Sequence, residues 1–223
     1  MSNVIEISEL EKIYGIGRNA LHVLNGIDLE IRHGEIVSVV GSSGAGKSTL
    51  LHCIGCLDTF QKGSLKINGK ELSGFNVEEL SGFRNRTMGF IFQSNNLLTE
   101  FTALENVMIP LLIRRVSRKK AKLAALEVID RFGLGERINH KPSEMSGGEC
   151  QRIAVARAIV GKPTLILADE PTGSLDSKNS EHLIDILFEL GRENGTTIVI
   201  VSHDPLIAEK TGRTIHIKDG KIC

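Results

Sequence analysis

The stretch Gly41-Ser42-Ser43-Gly44-Ala45-Gly46-Lys47-Ser48-Thr49 decides the fold. It satisfies the pattern G-x-x-x-x-G-K-S/T at every fixed position. Just before it, Ile36-Val37-Ser38-Val39-Val40 is a β-branched run that reads as a buried strand. Just after it, Thr49 to Ile54 reads as the first turns of a helix. A strand, a glycine-rich turn and a helix N-terminus together make an anion site. The glycines let backbone N–H groups close around phosphate oxygens, and the helix dipole favours their charge. In that frame Lys47 reaches the β- and γ-phosphates, and the Ser48 hydroxyl is a Mg²⁺ ligand.

Upstream of this unit the pattern is that of antiparallel strands. Val4 to Ile7 alternates apolar and polar residues, and so does Leu21 to Ile31, with a turn expected at Asn25-Gly26. Downstream, Gly63 to Ile67 followed by Asn68-Gly69 predicts a hairpin edge. Asn76 to Arg86 reads as a short helix, and Met88 to Phe92 as a strand ending at Gln93. Thr102-Ala103-Leu104-Glu105 is a capping box, and the pattern stays helical to Phe132, where Gly133 ends it. Leu123, Leu126, Ile129 and Phe132 are the expected apolar stripe. The basic run Arg114 to Lys120 is expected on a solvated face or against a partner. In the last third, the apolar strands Leu165 to Ala168 and Thr197 to Val201 flank an amphipathic helix, Lys178 to Asn194. The expected fold is α/β: a phosphate-loop core with a mainly parallel sheet, an antiparallel β lobe and an inserted helical subdomain. The chain reads as one domain, 1–223, with residues 1–93 and 146–223 forming the core and 94–145 the helical insertion.

Two further places carry chemistry. Leu165 to Ala168 ends in Asp169-Glu170. Ligands of parallel sheets sit at the carboxyl ends of strands, so Asp169 is placed to hold Mg²⁺ and Glu170 to take a proton from an attacking water. Ser146-Gly147-Gly148-Glu149 is a capping box whose glycines bare N–H groups at a helix start, a second anion site.

This combination resembles the ATPase subunit of ATP-binding cassette (ABC) transporters, whose signature is Leu-Ser-Gly-Gly-Gln. Here Met145 and Glu149 replace the outer residues. The Glu149 charge near phosphate is expected to weaken ATP affinity. The resemblance covers essentially the whole chain. It implies that Tyr14 stacks on adenine and that Gln93 contacts Mg²⁺ and the attacking water. It implies that His203 contacts the γ-phosphate and positions Glu170. It places Ser174-Leu175-Asp176 at a dimer interface, where Asp176 contributes to nucleotide binding. Two copies then pack head to tail, with ATP between the phosphate loop of one and Ser146-Gly147-Gly148 of the other.

Within the family, Asn96 to Val107, Ile109 to Ile113 and Asn139 to Glu144 resemble the lipoprotein-releasing (Lol-type) ATPases of Gram-negative bacteria. Ile54 to Asp58 and Val201 to Pro205 resemble the macrolide-exporter type instead, and the cell-division ATPase is a third relative. The resemblance implies integral membrane partners and a peripheral place on the cytoplasmic face of the bacterial inner membrane. A DNA-repair ATPase of the same superfamily is disfavoured. The chain has no heptad insertion and no paired C-x-x-C motifs. Its 27 basic and 27 acidic residues give zero formal charge, which argues against a nucleic-acid surface.

At 223 residues, 41% hydrophobic and 24% charged, the composition is that of a globular chain able to bury a sizeable core. No apolar run approaches the ~20 residues of a membrane span, and the N-terminus lacks a secretory pattern. Cys53 and Cys56 form a lone C-x-x-C on the helix after the phosphate loop, and are expected to be packing thiols.

Overall fold

The computed structural model describes residues 2–173, 175 and 177–223. Ser174 and Asp176, expected at the dimer interface, lie outside the described residues. The chain divides into two compact units, Met1–Arg84 with Thr197–Cys223, and Asn85–Thr196.

The first unit opens with β1 (Asn3–Tyr14) and β2 (Leu21–Arg32), a long antiparallel pair. Then come β3 (Ile36–Val40), α1 (Lys47–Ile54), β4 (Lys62–Ile67), β5 (Lys70–Glu71) and α2 (Val77–Thr87), whose last residues belong to the second unit. One sheet has the order β2-β1-β4-β5 and is antiparallel throughout.

Two expectations change here. β1 runs on through Lys12 to Tyr14 rather than stopping near Ile7. Asn25-Gly26 is not a turn. Leu10 pairs with Ile27 while Glu11 pairs with Asn25, so Gly26, at φ 71°, is an extra residue bulging from a continuous strand. A β-bulge needs the same left-handed backbone that a tight turn needs, so the dipeptide cannot tell them apart. The hairpin at Asn68-Gly69 does form, with φ values of 51° and 71° joining Ile67 to its partner Lys70.

The second unit contains β6 (Met88–Ile91), α3 (Ala103–Ile113), α4 (Arg118–Arg131), α5 (Gly147–Ile159), β7 (Leu165–Asp169) and α6 (Ser177–Asn194). β6 and β7 are parallel. The continuous helical pattern predicted from Thr102 to Phe132 is broken into two helices. Arg115, at φ 60°, sits just past the end of α3, and the N–H groups of Arg115 and Val116 donate to the carbonyls of Leu112 and Leu111. Gly133, at φ 67°, closes α4 in the same manner, with Leu134 bonding back to Ile129. Both ends are Schellman motifs. A left-handed arginine carries no sequence signal, whereas the glycine does.

The buried stripe of α4 is Ala121, Ala125 and Ile129, while Leu123 is exposed. Arg114 departs from the expectation of a solvated basic face. Its guanidinium donates to the carbonyls of Asn85 and Gly161, tying the end of α3 to the ends of α2 and α5.

The chain returns to the first unit as β8 (Thr197–Val201), α7 (Pro205–Lys210), β9 (Arg213–Lys218) and β10 (Lys221–Ile222). β8 and β9 lie parallel on either side of β3, and β10 turns back on β9 at Asp219-Gly220. The β8 residues are all buried, and Val37, Val39, Leu50 and Ile54 share this core. Each such side chain contributes about 1.5–3 kcal/mol by leaving water. This burial fixes the strand ends on which the phosphate loop and His203 are carried. The architecture is α/β, with mainly parallel ladders and a separate antiparallel sheet.

Candidate active site

The phosphate loop leaves β3 in a tight path. A Cβ on Gly41 would run into the carbonyl oxygen of Ile217 in β9. Gly46 has φ 101°, and a Cβ there would meet the carbonyl of Val23 and the Leu24 side chain at 2.9 Å. Only glycine fits either place. Gly46 is also the N-cap of α1 and supplies no capping side chain. The Lys47 ammonium folds back along the loop and donates to the carbonyls of Gly41 and Ser42, at 2.9 Å each. Ser42, Ser43, Gly44, Ala45, Ser48 and Thr49 complete the loop and the first turn of α1. A cationic side chain, left-handed glycines and a helix start without a side-chain cap fit a phosphate chain.

Two flanking groups belong to the same unit. Tyr14 ends β1 with its hydroxyl donating to Asp58 Oδ2 at 2.5 Å. The ammonium of buried Lys12 lies 4.5 Å from the Tyr14 ring centroid and donates to Asp58 Oδ1 at 2.7 Å and to the Thr59 carbonyl. Burial raises the Asp58 carboxyl, but hydrogen bonds from Lys12, Tyr14 and the Thr59 backbone outweigh it and hold the group below its ordinary value. Lys12 and Asp58 thus hold the tyrosine ring in place, a role the sequence reading missed. His203 is exposed just beyond β8, and the Asp204 N–H donates to Ser202 Oγ across it. Asp204 also caps α7, so both flanks of the histidine are fixed.

In the second unit, β7 delivers Asp169 at its last position, followed by Glu170. Glu170 has φ 47°, a left-handed backbone unusual for a non-glycine residue. Its carbonyl accepts from Gly173 N–H at 3.1 Å, forming the turn that follows. Gln93 lies against that turn, since a Cβ on Gly173 would come within 3.2 Å of Gln93 Nε2. The unit therefore brings Gln93 to the segment that carries Glu170. The thiols of Cys53 and Cys56, in the first unit, are pushed up to about 12 and about 11 by burial, which leaves them protonated packing groups.

Ser146 caps α5 as the sequence predicts. Its hydroxyl accepts from Glu149 N–H, and Glu149 Oε2 accepts from Ser146 N–H at 2.8 Å. Glu149 Oε1 accepts from Arg137 Nε at 2.8 Å. Both carboxylate oxygens are thereby engaged, and the charge is neutralised by an arginine that sequence spacing did not connect to it. The Arg137 hydrogen bond, then that of the Ser146 backbone, lowers the Glu149 carboxyl to about 2 from its ordinary 4.5. A depressed carboxyl stabilises the fold above its unfolded-state value and loses that contribution as pH falls between the two. Melting temperatures at about pH 7 and about pH 3 should therefore differ less in Glu149→Gln than in the unaltered protein. An equal acid-induced drop in both would show that the ion pair contributes nothing to stability.

Such a phosphate loop between a parallel strand and a helix, with acidic residues ending another parallel strand, defines a nucleotide-hydrolysing cassette. The comparisons agree. The family described as ABC transporter matches residues 24–173. The lipoprotein-releasing system ATP-binding protein LolD of Bacteroides fragilis is 52% identical, over 98% of this chain and 100% of that protein. LolD of Pseudoalteromonas translucida is 49% identical, over 98% of this chain and 94% of that protein. The solved ATP-binding cassette MJ0796, a dimer bound to ADP and Pi, has a TM-score of 0.92 and 39% identity, over 98% of this chain and 96% of that one. The chain belongs to the ABC transporter family, as an ATP-binding cassette ATPase. Among the described residues, no helix is long and apolar enough to cross a membrane.

Proposed function

We propose that this chain is the ATP-hydrolysing subunit of a transporter that releases lipoproteins from the bacterial inner membrane. The observation that carries the reading is 49% and 52% identity, over 98% of the chain, to two lipoprotein-releasing ATP-binding proteins. The macrolide-exporter and cell-division readings are not favoured. The subunit works at the cytoplasmic face, bound to integral membrane subunits and not to nucleic acid. Two copies close around two ATP molecules, as the dimeric state of the solved cassette suggests.

The roles follow from the chemistry of each group. Residues Gly41 to Thr49 wrap the phosphates, Lys47 offsets their charge, and Tyr14 stacks on the base. Ser48, Gln93 and Asp169 offer an oxygen-only donor set, which suits a hard divalent cation. Bound there, Mg²⁺ would neutralise charge on the phosphates. Glu170 accepts the proton of the attacking water, and Gln93 and His203 hold water and γ-phosphate in line. Ser146, Gly147 and Gly148 of the partner copy, with Asp176, close over the nucleotide. Residues 94–145 act as the helical subdomain within the single domain 1–223, and transmit the state of Gln93 to the membrane partner.

Leu98 and Phe101 are 47% and 42% exposed, and Ile113 is 64% exposed, in the segment following Gln93. Leu104, Val107, Met108 and Leu111 are buried and pack in the core instead. We assign the exposed residues to docking of a short cytoplasmic helix of the membrane partner. Leu98→Glu should keep basal hydrolysis by the isolated subunit and lose co-purification with the membrane subunits. Intact complexes and intact transport in that variant would place the docking surface elsewhere. The function itself is tested by purifying the chain from native membranes, identifying its partners, and following ATP-dependent lipoprotein release by the reconstituted complex.

A further inference from the structure

Helix α5, capped by Ser146, is apolar over most of its length, with Ile153, Ala154, Val155 and Ala156 fully buried. Gln151 interrupts this surface and is itself 1% exposed. Its Nε2 donates to two carbonyl oxygens, that of Phe92 at 3.2 Å and that of Pro171 at 2.8 Å. Phe92 immediately precedes Gln93, and Pro171 immediately follows Glu170. One amide nitrogen therefore joins the two backbone segments that carry the water-positioning glutamine and the general base. Further along α5, the Arg157 guanidinium donates to the carbonyls of Asn95 and Asn96, at 2.8 and 2.7 Å. The same helix thus holds the Gln93 segment on both flanks.

Adhesion alone does not call for an amide here. The neighbouring side chains already bury apolar surface, and Gln151 Oε1 is buried without a hydrogen-bond partner among the described residues. An apolar side chain of similar volume would pack without that desolvated acceptor. What the amide adds is direction. Its two N–H vectors fix where two carbonyls lie, and those carbonyls are one residue from Gln93 and Glu170.

We propose that Gln151 is a positioning residue for ATP hydrolysis, setting Gln93 and Glu170 relative to each other and to the helix that starts at Ser146. This rests on the roles proposed above for Gln93 and Glu170. A misplacement of about 1 Å at a reacting centre costs about 10²-fold in rate.

The test is Gln151→Met, which keeps length and volume but cannot donate, with Gln151→Glu as the second variant should the first fail to fold. The purified chain is assayed with Mg-ATP for kcat, for nucleotide Kd and for melting temperature. The expected result is a kcat lowered by about 10–100-fold, with Kd for ATP changed by less than about 2-fold because the phosphate loop is untouched. In a Gln93→Ala background the added loss from Gln151→Met should shrink, because part of its effect acts through Gln93. An unchanged kcat in the folded variant overturns the proposal. So does a loss that multiplies fully with that of Gln93→Ala, or one that appears only as weaker ATP binding and a lower melting temperature. Glu170→Gln is run beside it. If that variant hydrolyses ATP normally, the underlying site assignment fails. If it is inactive while Gln151→Met is normal, only the positioning role fails.

Discussion

Glu170→Gln should lower ATP turnover by about 10²–10⁴-fold, the usual contribution of a general base, while leaving nucleotide binding intact. The amide preserves the size and shape of the side chain but cannot accept a proton from water. The left-handed backbone of Glu170 and the Gly173 hydrogen bond to its carbonyl do not involve the carboxylate, so the turn should survive the change. With binding retained and hydrolysis blocked, ATP-bound dimers should accumulate. Size-exclusion chromatography in Mg-ATP, together with phosphate release, reads both effects. A variant that stays monomeric and hydrolyses at the normal rate would refute the base role and the ATP-closed dimer together.

Lys47→Ala should abolish hydrolysis, and unlike the first variant it should do so through the phosphates themselves. Lys47 is the cation of the loop, and its ammonium already lies among loop carbonyls, at 2.9 Å from those of Gly41 and Ser42. On the proposed assignment, removing it would leave the developing negative charge of the transferred phosphoryl group without the loop's cation. The packing of α1 rests on Leu50, Leu51 and Ile54, which are buried and unaffected. Circular dichroism and melting temperature should therefore stay near those of the unaltered protein, while phosphate release disappears. Normal turnover in folded Lys47→Ala would show that the loop is not the site of hydrolysis.

The two predictions also mark how the site is encoded. The phosphate loop was legible because every contributor is contiguous: strand, glycines, cation and helix start occupy residues 36–54. Asp169-Glu170 was legible for a related reason, since an apolar strand announces its own carboxyl end. The capping boxes at Thr102 and Ser146 were read correctly because both partners lie three residues apart. The supports of the site were not legible. Lys12 and Asp58, Arg137 and Glu149, and Gln151 with Phe92 and Pro171 are pairings of residues distant in sequence. Their residue types are ordinary, and only the packed chain brings them together.

The same division holds for the fold. By itself the sequence determined the α/β class, the positions of most elements and the phosphate loop, because hydrophobic period, caps and glycine placement are properties of local stretches. Tertiary structure decided whether Asn25-Gly26 would bend the chain back or bulge from a strand, since the β1 partner strand settles it. It decided that Arg114, at the end of α3, bonds to the carbonyls of Asn85 and Gly161 instead of facing solvent. It also decided the setting of the Glu149 charge, which lies against Arg137. In each case the local conformation or charge was compatible with two outcomes, and a partner far along the chain selected one of them.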